Sequence, residues 1–307
     1  MSVLLLLVGF AALTVGGDLL VRGAAALARR IGVSPLVIGL TVVAFGTSAP
    51  ELAATVASSL QGAPDVGVGN VLGSNVANVG LILGATALLA PLAGNAAFTR
   101  RDLPLGVGAM LLLVPLAWDG RLGRLDGALL LVALAVYLTL LVRHDRDALA
   151  EEAGPDGPGG PLWRSVGAVL LGLGVLVLGA DLVVRGAVDL AAALGVPERV
   201  VGLTMVAFGT SLPELASAVA AAARRQGDMI LGNIAGSNLF NVLAVLGIAA
   251  LATGLPVALP EVGGDLAVAV GFSLATILAF LAAGRLGRVA GAGLLAAYLT
   301  YVAALFL

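Results

Sequence analysis

The chain is poor in charge and lacks two residue types, cysteine and lysine, on which many protein sites depend. Its 307 residues include no cysteine, no lysine and one histidine, and only 11% of them are charged. The absence of cysteine excludes disulfides and thiolate metal sites. A soluble domain carries about 25% charged residues, so this composition excludes an ordinary soluble domain. No basic patch or motif indicates a nucleic-acid partner.

The residues that are present are strongly apolar. Hydrophobic residues make up 60% of the chain and the mean hydropathy is +1.10, which indicates an integral membrane protein surrounded by the lipid bilayer. Apolar runs of roughly 20 residues recur from end to end, the length of an α-helix that crosses a ~30 Å hydrocarbon core. Strands of a membrane barrel are about ten residues long and alternate in polarity. The sequence therefore predicts an all-α fold.

Ten transmembrane helices are predicted along the chain. Each corresponds to one apolar run, and loops that contain charged residues, glycine or proline separate them. The predicted helices cover residues 3–28, 35–60, 66–91, 103–118, 125–142, 163–193, 198–223, 229–253, 264–283 and 288–306.

A rare polar string occurs twice in this apolar sequence. Residues 41–52 read TVVAFGTSAPEL and residues 204–215 read TMVAFGTSLPEL, an offset of 163 residues. The same offset carries residues 73–75, GSN, onto residues 236–238 without any insertion between the motifs. Internal similarity at a fixed period indicates a duplicated unit. The chain is therefore predicted to contain two related halves.

The repeat sets the predicted domain organisation. The first five-helix repeat covers residues 1–142 and the second covers residues 163–307, with the repeated motif regions at 32–84 and 195–247. Residues 143–162 are charged and then rich in glycine and proline, as expected of a solvated linker. Because each half has an odd number of spans, the second half enters the membrane from the opposite side. The repeat is therefore predicted to be inverted, a common plan of secondary transporters.

Arginine alone sets the predicted orientation, since there is no lysine. Loops after the first, third, fifth, seventh and ninth helices hold eleven arginines, and the loops on the other side hold three. The positive-inside rule places the arginine-rich loops in the cytoplasm. We therefore expect a multi-pass protein of the cytoplasmic membrane, with a cytoplasmic linker and both termini outside.

Each copy of the motif carries one carboxylate inside an apolar span, at Glu51 and Glu214. Ionisable groups at such depth are costly and usually mark an ion path. Thr47 and Ser48 lie within one helical turn of Glu51, and Pro50 leaves the carbonyl four residues earlier without its helical hydrogen bond. Carboxylate, hydroxyl and carbonyl oxygens are the ligands of hard cations such as Ca²⁺ and Na⁺. The duplicated motif therefore predicts an oxygen-lined cation site.

Polar side chains recur every four residues on the third and eighth predicted helices. Such a stripe faces protein or water and not lipid. The stripes consist of Asn70, Ser74 and Asn78 on the third helix and of Asn233, Ser237 and Asn241 on the eighth. The first asparagine of each stripe, Asn70 or Asn233, fits a structural hydrogen bond between helices as well as it fits a role in the site.

Other polar residues have a structural interpretation. Asp18 and Arg22, like the equivalent Asp181 and Arg185, are four residues apart and fit local ion pairs. His144 falls in the linker and is expected to face solvent. Proline and hydroxyl residues in a single span fit a kink equally well. A glutamate in both copies favours the ion-binding interpretation, because buried carboxylates are costly.

The two strings, GTSAPEL and GTSLPEL, are followed by GNVLGSNVAN and GNIAGSNLFN. They resemble the two α-repeats of the calcium/cation antiporter superfamily, specifically its prokaryotic sodium/calcium exchangers, over essentially the whole chain. The resemblance implies exchange of Na⁺ for Ca²⁺ by alternating access, with no enzymatic activity and no cofactor; we expect a monomer. It also implies that the transported ions are bound by oxygen atoms of Glu51, Glu214, Thr47, Ser48, Thr210, Ser211, Ser74, Asn78, Ser237, Asn241, Ala44 and Ala207.

Three functions stay open at this point. The Gly-Thr-Ser-x-Pro-Glu string favours sodium as the driving ion, and a proton- or potassium-dependent cation exchanger is the alternative within transport. An intramembrane hydrolase that uses Ser48, Ser211 or the glutamates is the alternative from another class, but no predicted span contains a histidine or lysine base. One position departs from the family pattern, since several prokaryotic relatives have aspartate where this chain has Asn241. The resemblance also implies that the first and sixth predicted helices, residues 3–28 and 163–193, slide as a pair against the other eight.

Overall fold

The computed structural model describes residues 1–152, 161–194 and 209–305, and most of them are helical. Glycine and proline mark the helix boundaries: the first helix ends before Gly32, whose φ of 66° is left-handed, and Pro35 begins the second. The helices are α1 (Ser2–Ile31), α2 (Pro35–Thr47), α3 (Ala49–Leu60), α4 (Pro64–Leu89), α5 (Leu103–Leu116), α6 (Arg124–Glu152), α7 (Leu162–Ala193), α8 (Leu212–Ala223), α9 (Gly227–Thr253), α10 (Leu259–Ala283) and α11 (Arg288–Ala304).

Six of the described helices are long and apolar enough to cross a membrane, namely α1, α4, α6, α7, α9 and α10. The count rises to seven if α2 and α3, which meet at an angle of 42° across Ser48, form one broken span. Helices α8 and α11 are apolar but shorter. Residues 198–208, the predicted start of the seventh span, lie outside the described residues. The prediction of a mostly helical protein with apolar spanning helices is confirmed.

The end of the first half differs from the prediction. Helix α6 continues past residue 142 to Glu152, because the run RHDRDALAEE is polar but contains no glycine or proline that would end a helix. The first part of the predicted linker is therefore helical, and residues 153–160 lie outside the part that the structure describes. His144 is exposed on this helix, as expected.

Short antiparallel ladders join loops of the two halves. β1 (Leu92–Ala93) pairs with β4 (Arg285–Leu286), and β2 (Arg121–Leu122) pairs with β3 (Leu255–Pro256). The all-α prediction misses these strands because two residues are too few to show the alternation that identifies a strand. Each ladder contains one strand from each half, so the loops help to hold the halves together.

Helices α1 and α7 pack against each other in antiparallel directions through glycine. A Cβ atom at Gly9 would approach the carbonyl oxygen of Gly179 to 2.9 Å, and one at Gly16 would approach that of Gly172 to 3.0 Å. Only residues without a side chain permit backbones to lie this close. The contacts are reciprocal under the repeat, because the offset carries Gly9 onto Gly172 and Gly16 onto Gly179.

Helices α4 and α9 form the centre of the molecule. In their apolar stretches 78% and 89% of the residues are buried, against 22–33% in the other four long helices. Helix α9 also packs closely along α2, where a Cβ atom at Gly232 or Gly236 would collide with the main chain of Leu36 or Leu40. The polar motifs on α2, α4 and α9 therefore meet inside the protein, away from the apolar outer helices.

Candidate ion-binding site

The repeated motif breaks its helix at the same place in both copies. Ser48 separates α2 from α3 with φ −81° and ψ 4°, and Ser211 immediately precedes α8 with φ −86° and ψ 0°. The cause is local, because Pro50 and Pro213 lie in the first turn of the following helix and cannot donate to the preceding one. Each motif therefore places its hydroxyl groups at a junction between two helical segments.

Glu51 and Glu214 lie in the first turns after these breaks and are each 1% exposed. The start of a helix carries a partial positive charge that favours a carboxylate. The two glutamates are close enough for their charges to interact, and Ser48 Oγ donates a hydrogen bond of 3.4 Å to Oε1 of Glu214. The two copies of the motif thus meet at one buried position.

Hydroxyl groups of each motif lie beside the glutamate of the other. Thr47 and Ser48 interact with the carboxylate of Glu214, and Thr210 interacts with that of Glu51. A two-fold axis between two copies produces this exchange of partners. Each half therefore supplies part of the predicted ligand set, and the other half supplies the rest.

Unpaired oxygen atoms are concentrated in the two motifs and in the polar stripes of α4 and α9. Among the described residues, eight buried side-chain nitrogen or oxygen atoms have no hydrogen-bond partner, and seven of them are oxygens of predicted site residues. Leaving such an atom unpaired costs about 1–3 kcal/mol, so each one calls for an explanation. An oxygen-coordinated cation provides one. The seven atoms belong to Glu51, Ser74, Asn78, Ser211, Glu214, Ser237 and Asn241.

The inner asparagines of the two polar stripes occupy irregular helix turns. Asn78 and Asn241 each begin a π-helical turn, in Asn78–Leu83 of α4 and Asn241–Val245 of α9. Wide turns of this kind often occur at functional sites. Both side chains are buried, so the polar stripes face protein as predicted.

Two further asparagines at the centre of the fold are absent from the predicted ligand set. Asn78 Nδ2 donates to Oδ1 of Asn238 at 2.9 Å, and Asn241 Nδ2 donates to Oδ1 of Asn75 at 3.0 Å. Sequence reasoning misses Asn75 and Asn238 because they lie one position away from the polar stripes. Their recurrence at the repeat offset is the signal that identifies them.

The outer asparagines hold threonines of the opposite motif. Thr47 Oγ1 donates to Oδ1 of Asn233 at 3.3 Å, and Thr210 Oγ1 donates to Oδ1 of Asn70 at 3.4 Å. The amide nitrogen of each asparagine also has an acceptor, on α8 or on α3. With both ends of each amide paired, Asn70 and Asn233 fit the structural interpretation.

The remaining predicted ligands are main-chain carbonyls. That of Ala44 accepts a hydrogen bond from the N–H of Ser48 at 2.9 Å and also lies 3.4 Å from the hydroxyl of Thr47. Ala207 lies outside the described residues. Within the described part of the chain, no group of three or more histidine, cysteine, aspartate or glutamate residues is placed to hold a metal. The site therefore combines two carboxylates with neutral oxygens.

The predicted ion pairs on α1 and α7 are present, each with a shortest distance of 2.8 Å. Asp18 has a second partner, however, because Arg224 at the end of α8 donates from Nε to Oδ1 at 2.6 Å. This contact connects two helices that are far apart in sequence. The repeat offset gives Gln61 at the position equivalent to Arg224. Because glutamine carries no charge, the repeat does not predict this ion pair.

The chain matches known proteins along its length. A model of the family described as sodium/calcium exchanger protein matches residues 1–143 and 164–307. The inner membrane protein YrbG of Escherichia coli (strain K12) is 38% identical over 262 residues, which cover 81% of this chain and 79% of the relative. The sodium/calcium exchanger MaX1 of Methanosarcina acetivorans is 31% identical over 344 residues, which cover 99% of this chain and 98% of the relative.

Solved structures of a sodium-calcium exchanger also match the chain over nearly its whole length. A structure of the sodium-calcium exchanger NCX_Mj soaked with 10 mM Na⁺ and 10 mM Sr²⁺ matches with a TM-score of 0.87 and 34% sequence identity, covering 98% of this chain and 97% of the other. The family consists of transporters, so the prediction that the chain is not an enzyme is confirmed. The chain belongs to the sodium/calcium exchanger family.

Proposed function

We propose that the chain exchanges Na⁺ for Ca²⁺ across the cytoplasmic membrane by alternating access. The observation that carries the proposal is the group of seven buried, unpaired oxygens in the two motifs and the two polar stripes. Oxygen atoms of carboxylates, hydroxyls and amides are the ligands that Ca²⁺ prefers, and it takes about 6–8 of them. The similarity to MaX1 and NCX_Mj, which are named sodium/calcium exchangers, supports Na⁺ and Ca²⁺ as the ions.

The transported ions are the substrates, and no cofactor is needed. Glu51 and Glu214 supply the charge, and Thr47, Ser48, Thr210, Ser211, Ser74, Asn78, Ser237 and Asn241 supply neutral oxygens, together with the carbonyls of Ala44 and Ala207. Two carboxylates balance one Ca²⁺ or two Na⁺ ions. Exchange of three Na⁺ for one Ca²⁺ would therefore leave the Na⁺-loaded site positive and carry net charge across the membrane.

The proposed architecture is ten transmembrane helices in two inverted five-helix repeats, residues 1–142 and 163–307, joined by a linker at 143–162. Reciprocal contacts under the repeat offset support it, in the antiparallel packing of α1 on α7 and in the paired asparagines of α4 and α9. Inverted repeats place an ion site near the middle of the membrane, where the halves meet.

Alternating access is proposed to occur by sliding of α1 and α7 against the remaining helices. The glycines that line the contact of these two helices keep them together as a pair. Only 28% and 33% of the residues in their apolar stretches are buried inside the protein, so fewer contacts resist the movement. A monomer has every element of this mechanism, because both halves of the site come from one chain.

The test is transport by the purified protein in lipid vesicles. With Na⁺ inside and radioactive Ca²⁺ outside, an outward Na⁺ gradient should drive Ca²⁺ uptake, and an equal gradient of K⁺ or of protons should not. Uptake that follows only the proton or K⁺ gradient would assign the chain to another kind of cation exchanger. No uptake under any gradient, from protein that is folded, would contradict antiport of Ca²⁺.

A further inference from the structure

The side-chain amides of Asn78 and Asn241 have a defined orientation. Each nitrogen donates to an asparagine of the opposite half, Asn238 or Asn75. Each oxygen is buried and has no partner within the described structure. In both residues the nitrogen end is thus held and the oxygen end is free to act as a ligand.

That orientation decides whether an asparagine binds a cation. An amide has an oxygen that accepts and an NH₂ group that donates, and only the oxygen coordinates a hard cation. A rotation of half a turn about the last side-chain bond would place NH₂ hydrogens in the site and repel the ion. A carboxylate has two equivalent acceptor oxygens, so it needs no such orientation.

We propose that Asn75 and Asn238 are positioning residues that make Asn241 and Asn78 usable as cation ligands. The inference rests on the proposed function, since it concerns the same site. Each acts through its Oδ1, which accepts a hydrogen bond from the amide nitrogen of the ligand residue. This bond holds the amide oxygen of the ligand residue toward the site. Outer partners that orient ligands in this way usually change metal affinity about 10–100-fold when they are removed.

Both positioning residues are buried, and the amide of Asn75 is itself held by a hydrogen bond. Asn75 and Asn238 are 1% and 4% exposed, and Asn75 Nδ2 donates to the main-chain carbonyl of Asn238 at 3.3 Å. Asn75 thereby uses its own nitrogen on a main-chain atom and presents its oxygen to Asn241. The alternative is that both residues only join α4 to α9, as interhelical amides commonly do.

A double-variant experiment separates positioning from joining. Asn75→Ala should weaken Ca²⁺ binding by the purified protein about 10–100-fold, because the amide of Asn241 then rotates freely. In protein that carries Asn241→Asp, the same Asn75→Ala change should have less than a two-fold effect, because either carboxylate oxygen serves as the ligand. Binding of radioactive Ca²⁺ and the thermal unfolding midpoint are measured for all four proteins.

An equal loss of affinity with and without the Asn241→Asp substitution would mean that Asn75 serves packing alone, and the inference would be wrong. If Asn75→Ala does not fold, the equivalent pair gives the same test: Asn238→Ala alone and in the presence of Asn78→Asp. Glu51→Gln separates a failure of the proposed ion site from a failure of the positioning role. Unchanged Ca²⁺ binding in that variant would overturn the proposed site, whereas loss of binding there without rescue of Asn75→Ala by Asn241→Asp would overturn only the positioning role.

Discussion

Ser48 Oγ and Glu214 Oε1 form a hydrogen bond of 3.4 Å that joins the two copies of the repeated motif. The serine comes from the break between α2 and α3, and the glutamate comes from the first turn of α8. Thr210 of the other copy lies beside Glu51, as its equivalent Thr47 lies beside Glu214, so neither half holds the complete set of predicted ligands. Changes in either motif are therefore expected to affect one shared site.

Neutralising either glutamate should abolish Ca²⁺ exchange. Glu51→Gln and Glu214→Gln each remove half of the negative charge that balances a divalent ion in a buried, low-dielectric site. The loss should exceed the roughly 100-fold that removal of an outer partner of a metal ligand causes. Ca²⁺ uptake into vesicles measures it.

The matched control for the glutamates is Glu261→Gln, the same chemical change at an exposed position at the start of α10. It should leave uptake within two-fold of the parent protein. Uptake by Glu51→Gln at a level similar to that of Glu261→Gln would remove the basis of the proposed site.

The close contact of α1 with α7 should tolerate no added side chain. In Gly172→Ala the new Cβ would lie 2.5 Å from the main-chain nitrogen of Leu20 and 3.0 Å from the carbonyl of Gly16, so the helices must separate. Overpacking of this kind costs about 1–3 kcal/mol. The thermal unfolding midpoint in detergent should fall, and exchange should slow.

Gly174→Ala provides the control for this contact, because a Cβ atom there meets nothing within 4 Å. Glycine in a helix is about 0.5–1 kcal/mol less favourable than alanine, so this variant should be as stable as the parent or slightly more so. Equal midpoints for the two variants would contradict the tight α1 and α7 interface.

The sequence is sufficient to predict the helical fold and most candidate ligands, because the repeat isolates the few polar residues in an apolar chain. It is not sufficient for contacts that follow no repeat or period. Arg224 reaches Asp18 across 206 positions, while its counterpart is Gln61. Asn75 and Asn238 recur in both halves, but their hydrogen bonds depend on the antiparallel register of α4 and α9, which the composition of either helix does not specify.

The orientation in the membrane that the arginine count predicts can be tested with thiol chemistry. The chain contains no cysteine, so single cysteines report without background. Ser2→Cys should react with an impermeant thiol reagent added outside intact cells, and His144→Cys should react only after the membrane is opened. The reverse pattern would show that the termini are cytoplasmic.

The contact of Asp18 with Arg224 should restrain α1 at one end of the molecule. Both side chains are about one third exposed, and a pair of this kind contributes about 0.2–1 kcal/mol. The pair lies beside a cavity of about 230 Å³ whose lining includes Ala25 and Arg224. If α1 slides, Arg224→Gln should favour movement of this end and expose residue 25 more often.

Labelling of Ala25→Cys measures that movement. An effect of up to about five-fold on the rate of reaction with a thiol reagent is expected in Arg224→Gln, since 1 kcal/mol corresponds to about that factor in an equilibrium. Arg185→Gln is the matched control, because it removes an arginine whose described ion pair lies within α7. Equal labelling rates in the two variants would mean that Asp18 and Arg224 do not restrain α1. A faster rate only in Arg224→Gln would assign a restraining role to an ion pair that the repeat does not duplicate, because Gln61 occupies the position equivalent to Arg224.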